Sequence, residues 1–355
     1  MTFLIDDFLD RIPLNHNRIC MVTRIPGIAG PANFQRRMEL GLKQRGIQVS
    51  YDVHEPDLDL ILVIGASRKL IDLWHLRRRG IPILQRLNGM NWIHRRVATG
   101  LKHYLRAEVN NLLLRITRSS LADHVVYQSN FTQAWWERVH GEAPVDSSVV
   151  YNGVPLDVYK PEGGEGLPQD RIVVLMVEGN LSGGYEVGLE MGIELVRSLQ
   201  FQQDLGVELH VAGSVPSWLK AKWTIPENSF IHWLGLVPTE DIPKLDRSAH
   251  LLYSSDPNPA CPNAVIEALA CGLPVVAFDT GALPELVAED AGRLAAYGGD
   301  PWTLDTPDLE ALVGAASEIL EDQGKFRTGA RRRAQELFGL EHMVDGYLRV
   351  FQEVI

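Results

Sequence analysis

Residues Ser254 to Val287 read SSDPNPACPNAVIEALACGLPVVAFDTGALPELV, and the order of residue types in this stretch decides the fold. A polar, proline-spaced loop runs into a short apolar helix that opens near Asn263, and Cys271-Gly272-Leu273-Pro274 then gives way at once to a β-branched strand. A helix followed this closely by a strand is the connection of a parallel α/β sheet, and such sheets bind ligands beyond their carboxyl edge. At that edge the helix start offers the backbone N–H groups of Asn263, Ala264 and Val265 to an anion. One helical turn on, Glu267 adds a carboxylate that can accept hydrogen bonds from a ligand's hydroxyls. The alternative for Glu267 is a surface ion pair, and for Asn263 a plain N-cap.

The same alternation extends in both directions. Arg18 to Thr23 reads as a buried first strand, followed by a loop carrying Gly27 and Gly30 and a helix from Ala32 to Arg45. Short β-rich runs follow at Ile47 to Val53, Leu58 to Ile64 and Ile81 to Leu84. A long helix is expected from about Ile93 to Arg118, then a strand at His124 to Ser129 and a helix opened by Asn130 or Thr132. The pattern pauses between Val149 and Pro168, a linker by composition, and resumes with strands at Arg171 to Val177, Val207 to Val211, Phe230 to Trp233, Leu251 to Ser254 and Val275 to Phe278. After Asp308 the chain reads as helical, with Arg331, Arg332 and Arg333 on an exposed face. The expected fold class is α/β, two Rossmann-like doubly wound parallel-sheet domains facing a cleft.

Bulk composition narrows the function. The 355 residues carry a net charge of −11, which disfavours nucleic acid as a partner. Three cysteines without a C-x-x-C pair point away from a disulfide framework or zinc cluster and toward a reducing compartment. Asp6, Asp7 and Asp10 stand where a secretory leader would be basic, so a cytoplasmic protein is expected. Against the acidic average, Arg68 to Arg118 holds twelve Lys and Arg residues but only Asp72 and Glu108 as acids. Trp74, Trp92, Tyr104 and Leu112-Leu113-Leu114 interleave with these cations. Such a segment reads either as a solvated helix surface or as a face for an anionic membrane, here the inner leaflet.

Four segments, in this order and spacing, carry a family resemblance. They are Ala122 to Ser129, Val149 to Pro161 with Asn152-Gly153-Val154 and Tyr159-Lys160-Pro161, His232 to Val237, and Cys261 to Val276. Together they resemble the family 4 retaining glycosyltransferases of the GT-B fold, the glycosyl transferases of group 1. The resemblance implies residues 1–158 as an acceptor-binding domain, 159–330 as a nucleotide-sugar-binding domain, and 331–355 as helices packing back toward the first. It implies a UDP- or GDP-sugar donor as substrate, a glycan or lipid-linked acceptor, no tightly bound cofactor and no metal. Donor contacts are then expected from Glu267, Asn263, Ala264, Val265 and the Gly281 turn, with Gly27 and Gly30 in the first βα loop.

Two departures from the family pattern matter. The first of the family's paired glutamates falls on Pro259, which has no side-chain hydrogen bond to offer; Asp256, or a local insertion, is the substitute. The family's phosphate-pairing Arg and Lys fall in Glu178 to Glu186, where Asn180 stands near the Arg position and no Lys is present. Compensation is open between an anion nest at Gly183-Gly184 and a cation such as Arg24 or Arg86. No dedicated base stands out: Asp256 and Asn88 are the catalytic candidates, with a turn as the alternative for Asn88-Gly89 and His94 weaker still. The resemblance implies that a donor phosphate oxygen deprotonates the acceptor. A protein of this fold that binds nucleotide or glycan without turnover is the competing reading, and a phosphorylase or epimerase a third.

Overall fold

The computed structural model describes residues 16–27, 30–164, 166–203 and 205–355. The acidic leader reading therefore lies outside the described residues. Two compact units emerge. One holds the chain up to Asn91, Leu101–Gly153 and Leu340–Ile355; the other holds Trp92–Gly100 and Val154–Gly339.

The first unit is a six-stranded parallel sheet of β1 (Arg18–Val22), β2 (Gln48–Ser50), β3 (Leu60–Ile64), β4 (Ile83–Leu87), β5 (His124–Tyr127) and β6 (Ser147–Val149) in the order β2-β1-β3-β4-β5-β6. Its helices are α1 (Gly30–Gln44), α2 (Leu70–Arg78), α3 (Leu101–Ile116) and α4 (Asn130–His140). Both faces of the sheet are covered, so its strands read as continuous apolar runs. Ile19 and Met21 of β1 point to the core shared with Phe34 and Met38 of α1, whereas Cys20 and Val22 face Leu73 and Leu76 of α2. The chain's last helix, which carries Met343, Val344, Tyr347 and Phe351, completes the first of these cores.

The second unit repeats the design with β7 (Arg171–Asn180), α5 (Glu186–Gln200), β8 (Gly206–Ser214), α6 (Ser217–Trp223), β9 (Ile231–Gly235), α7 (Ile242–Ser248), β10 (Leu251–Tyr253), α8 (Asn263–Ala270), β11 (Val275–Phe278), α9 (Leu283–Leu286), β12 (Gly292–Ala295), α10 (Leu309–Glu321) and α11 (Gln323–Leu337). The helix that closes the chain is α12 (Leu340–Val354). The sheet order is β12-β11-β10-β7-β8-β9, all parallel. After β7 the chain winds one way through β8 and β9; after β10 it winds the other way. The carboxyl ends of neighbouring β7 and β10 therefore form the topological switch point, where a ligand crevice opens in such sheets.

Several sequence expectations change. The helix expected over Ile93 to Arg118 is two pieces, a single 3-10 turn at Ile93–Arg95 and α3 from Leu101. Gly100 between them has φ +85°, a left-handed conformation that interrupts a helix. The intervening segment belongs to the second unit, where Trp92 meets the Trp302 ring edge-on at 5.0 Å. Helix α4 is capped by Ser129, whose hydroxyl accepts from the Thr132 N–H at 3.1 Å, rather than by Asn130 or Thr132. The exposed arginine run is also revised. Arg331 donates to the carbonyls of Tyr159 (2.8 Å), Ala270 (2.6 Å) and Leu156 (3.1 Å), and Arg333 to that of Glu285 (2.7 Å). These two side chains fasten loop and helix ends, leaving Arg332 exposed.

Candidate functional site

The switch point of the second unit gathers the predicted donor residues from three βα connections. Helix α8 opens at Asn263, with Pro262 as its N-cap and no side-chain cap, so Asn263 is the first helical residue rather than the cap. Proline suits that place because its missing N–H would have no helical partner. Val265 to Ala270 are all buried, and Glu267 among them is only 4 % exposed. A carboxylate held that far from water on an apolar helix is a positioned group. Its charge is felt by Asp246 of α7, which burial first and Glu267 second push well above the usual carboxylate range. Asp246 was not singled out in the sequence, where it stands between Lys244 and Arg247 and gives no local sign of burial.

The loop after β10 explains Pro259. Its carbonyl accepts the Ala282 N–H at 2.8 Å, pinning the turn after β11. Gly281 in that turn has φ +59°, and a Cβ there would lie 2.5 Å from Pro259 Cδ. The position of the family carboxylate thus serves as a backbone clasp, and the carboxylate of this loop is Asp256, whose Oδ1 accepts the Asn258 N–H at 3.1 Å. Across the switch point Ser255 donates from Oγ to Glu178 Oε1 at 2.6 Å. Burial, then the neighbouring Asp256, raises Glu178 to about 7, and burial raises Asp256 to about 6. The Asp256 charge leads the causes that push the Tyr185 phenol up as well. Gly188 of α5 lets the helix close on this pair, since a Cβ there would lie 2.7 Å from the Ser255 carbonyl oxygen.

The loop after β7 carries the anion nest, and it is filled from within. The N–H groups of Gly183 and Gly184 donate to the two carboxylate oxygens of Glu186, at 3.0 and 2.7 Å. A negative side chain at the first position of α5 thus holds the place that a phosphate would take. Asn180 is exposed and donates to Ser182 Oγ at 2.7 Å.

The first-unit candidates separate. Gly27 is exposed in the loop after β1 and Gly30 is exposed as the first residue of α1, and a Cβ on Gly27 would meet nothing within 4 Å. Buried Gln35 holds that loop by donating to Thr23 O (2.9 Å) and accepting from Ile25 N (2.8 Å). Arg24 lies over the Tyr51 ring at 5.2 Å. Arg86 is 1 % exposed, over the Phe34 ring at 4.0 Å, and donates to Gln128 Oε1 (2.6 Å), Asn152 Oδ1 (2.9 Å) and the Asn88 side chain. It ties together the ends of β4 and β5 and the segment after β6; its guanidinium is committed to this network. Asn88 belongs to the same network and also accepts the Trp136 indole N–H on its carbonyl at 2.8 Å.

The basic segment also divides. Arg86 and Arg118 are buried, the latter donating to Tyr127 Oη (2.9 Å) and the Gly141 carbonyl (2.7 Å), while Arg77 is tied to Asp123 at 2.9 Å. What remains is a feature of α3. This helix buries Ala107, Asn111 and Leu114, and on the opposite side exposes Leu101, Leu105, Val109 and Leu112. Those spacings of four, four and three residues place the four side chains in one stripe. Lys102 and Arg106 flank it, both exposed. An outward helix face is ordinarily polar, and this one carries an apolar stripe instead. Among the described residues no helix is long and apolar enough to cross a membrane.

Comparison with known proteins agrees with this architecture. A sucrose-phosphate synthase from Thermosynechococcus elongatus superposes with a TM-score of 0.72 at 17% identity, covering 95% of this chain and 98% of that one. HepE from Anabaena, solved in complex with UDP and glucose, superposes with a TM-score of 0.70 at 16% identity, over 95% and 99% of the two chains. The fold is therefore GT-B. Residues 172–322 match the family described as glycosyl transferases group 1. Among curated proteins, an MMP alpha-(1->4)-mannosyltransferase from Mycolicibacterium hassiacum is 26% identical over 226 residues, 60% of this chain. The chain spans about half the length of that relative, 50% by the alignment.

Proposed function

We propose that the chain transfers a hexosyl group from a nucleoside diphosphate sugar to a hydroxyl acceptor with retention at the anomeric carbon. The observation that carries this reading is Glu267, buried on the helix that opens beside the switch point, with the Gly281 turn pinned against the neighbouring loop. In this reading Glu267 accepts the ribose hydroxyls and the N–H groups at the α8 start face the diphosphate. Glu178 and Asp256 sit where sugar hydroxyls are to be held, as acceptors when ionised and as donors when protonated. The UDP bound to HepE favours a uridine donor, with GDP-sugars as the alternative. The test is nucleotide release from a panel of UDP-, GDP- and ADP-sugars by wild type and Glu267→Gln. One donor should support release, and the variant should lose about tenfold or more in donor affinity, the worth of one charge-assisted hydrogen bond.

A second reading has its own observation. Glu178 to Glu186 carries no Lys or Arg, and Glu186 fills the Gly183-Gly184 nest, which fits a protein that binds nucleotide or glycan without turnover. Absence of release from every donor, with nucleotide still raising the melting temperature, selects it over the enzyme.

The acceptor is proposed to be lipid-linked or a glycan of a polysaccharide pathway, met by a cytoplasmic protein at the inner face of an anionic membrane. The apolar stripe of α3 and its flanking cations support this, since a surface helix buries such a stripe at the headgroup boundary while Lys and Arg pair with anionic lipid. Flotation with vesicles containing anionic lipid should be lost in Leu101→Glu/Leu105→Glu, whose sites are 74% and 54% exposed and leave the core untouched. Unchanged flotation of that variant would refute membrane docking through this face.

A further inference from the structure

Strand β8 alternates in a way that the glycosyltransferase reading does not use. Val207, Leu209 and Val211 enter the hydrophobic core, so Glu208 and His210 between them project from the opposite face. Strand β9 lies beside β8 in parallel register, with His232 directly opposite His210. Strand pairing therefore brings together a carboxylate and two imidazoles that are 22 or more positions apart in part of the chain. His210 Nε2 is 2.9 Å and His232 Nε2 3.4 Å from the same atom, Glu208 Oε2. The two rings are 4.9 Å apart by centroid, and one ligand atom from each of the three residues falls within 4.8 Å of the others.

We propose that Glu208, His210 and His232 form a binding site for a divalent late transition ion, Zn²⁺ in particular. Zinc bonds of about 2.0–2.1 Å in tetrahedral array set neighbouring ligand atoms about 3.3 Å apart, which the 2.9 and 3.4 Å separations already approach. Two neutral imidazoles with one carboxylate is a donor set for Zn²⁺, Ni²⁺ or Cu²⁺; Mg²⁺ and Ca²⁺ want oxygen ligands throughout. In the ion-free arrangement a proton lies between His210 Nε2 and the carboxylate. When the ion binds Nε2 of each neutral ring, the single ring proton sits on Nδ1, so the proton His210 shares with the carboxylate moves to Nδ1 by way of solvent and binding needs no redox partner. Arg171 Nε, 3.2 Å from the same Glu208 oxygen, supplies the carboxylate's countercharge until then. The cluster has a mechanical position. Strand β9 is the edge of its sheet, and its register with β8 slips between Val211 and Ala212, just past the cluster. An ion held by both strands fastens this edge. The site lies apart in sequence from the loops assigned to the donor, so its effect falls on stability rather than on transfer.

The experiment titrates the full chain with Zn²⁺ in competition with a chromophoric zinc chelator, for wild type, His232→Asn and Glu208→Gln. Melting temperature is followed in Zn²⁺, Mg²⁺ and EDTA. The sequence contains 11 His, so loss of binding in the two variants identifies the site. Wild type should bind one equivalent, gain melting temperature with Zn²⁺ but not Mg²⁺, and lose about tenfold or more in affinity in each variant that melts normally in EDTA. Absence of stoichiometric binding by wild type overturns the proposal whatever the variants do. Undiminished affinity in either folded variant does so too. If neither variant folds in EDTA, His210→Gln is read by the same criterion.

Discussion

Replacing Glu178 by Gln should stabilise the second unit, and more so the higher the pH. In the folded chain its carboxyl is raised from the ordinary 4.5 to about 7, chiefly by burial and then by Asp256. A carboxyl whose folded pKa exceeds its unfolded one costs nothing below about pH 4.5, where both states are protonated. The cost grows as pH rises toward 7 and is complete above it, because unfolding then relieves a buried charge. The gap of about 2.5 units at about 1.36 kcal/mol each bounds the cost at roughly 3 kcal/mol. Both acids keep some solvent exposure and share one interaction, so the bound is an upper one. Glutamine retains an oxygen to accept the Ser255 hydroxyl, so the 2.6 Å contact survives in the variant. Urea unfolding at pH 5 and pH 8, followed by tryptophan fluorescence, measures the difference. The variant should match wild type within about 1 kcal/mol at pH 5 and exceed it by about 2–3 kcal/mol at pH 8. A difference that is the same at both values, or larger at pH 5, would refute the assignment of Glu178 as a buried acid that resists ionisation.

Two further substitutions test the loops around it. Gly281→Ala places a Cβ 2.5 Å from Pro259 Cδ in a residue with φ +59°, so it should destabilise by about 1–3 kcal/mol in the same urea assay. A loss below about 0.5 kcal/mol would mean that the clasp between the two loops is not tight. Glu186→Ala vacates the N–H groups of Gly183 and Gly184 and should strengthen nucleoside diphosphate binding by about fivefold, the ~1 kcal/mol of a regained hydrogen bond. Calorimetry reads this directly. Unchanged or weaker binding at an unaltered melting temperature would show that phosphate does not visit the nest.

The fold was legible because its signals are local. Apolar runs such as Leu60 to Ile64 are strands of a sheet covered on both faces, and Gly46 closing α1 needs nothing from distant residues. Misreadings came where tertiary contacts override local pattern. The helix expected across Ile93 to Arg118 broke because Trp92 and Ile93 pack in the second unit and Gly100 restarts the backbone. Strands β6 and β12 were missed because they read Ser-Ser-Val and Gly-Arg-Leu-Ala, polar or interrupted runs without the apolar signal of the other strands. The arginines misled in a similar way. Arg86, Arg118 and Arg331 look like surface charge in sequence, yet each is spent on carbonyl, amide or hydroxyl oxygens of the interior or of element ends.

The candidate site divides along the same line. The proposed ribose end rests on one helix, on which Glu267 is buried. The phosphate and sugar ends depend on which loops the switch point brings together, which no single stretch of sequence states. Pro259 stands where the resemblance expects a carboxylate, and there its carbonyl accepts the Ala282 N–H while its backbone packs against Gly281. With that position taken by the clasp, the proposed sugar end relies on the carboxylates of Glu178 and Asp256, which the ends of β7 and β10 supply. A crevice lined by these acids and lacking cations in its two loops repels a diphosphate at high pH and tolerates it better once they hold protons. Donor affinity should therefore rise as pH falls from 8 toward 6, and Glu178→Gln should flatten that dependence. A donor affinity that is independent of pH over this range in wild type would place the phosphates elsewhere.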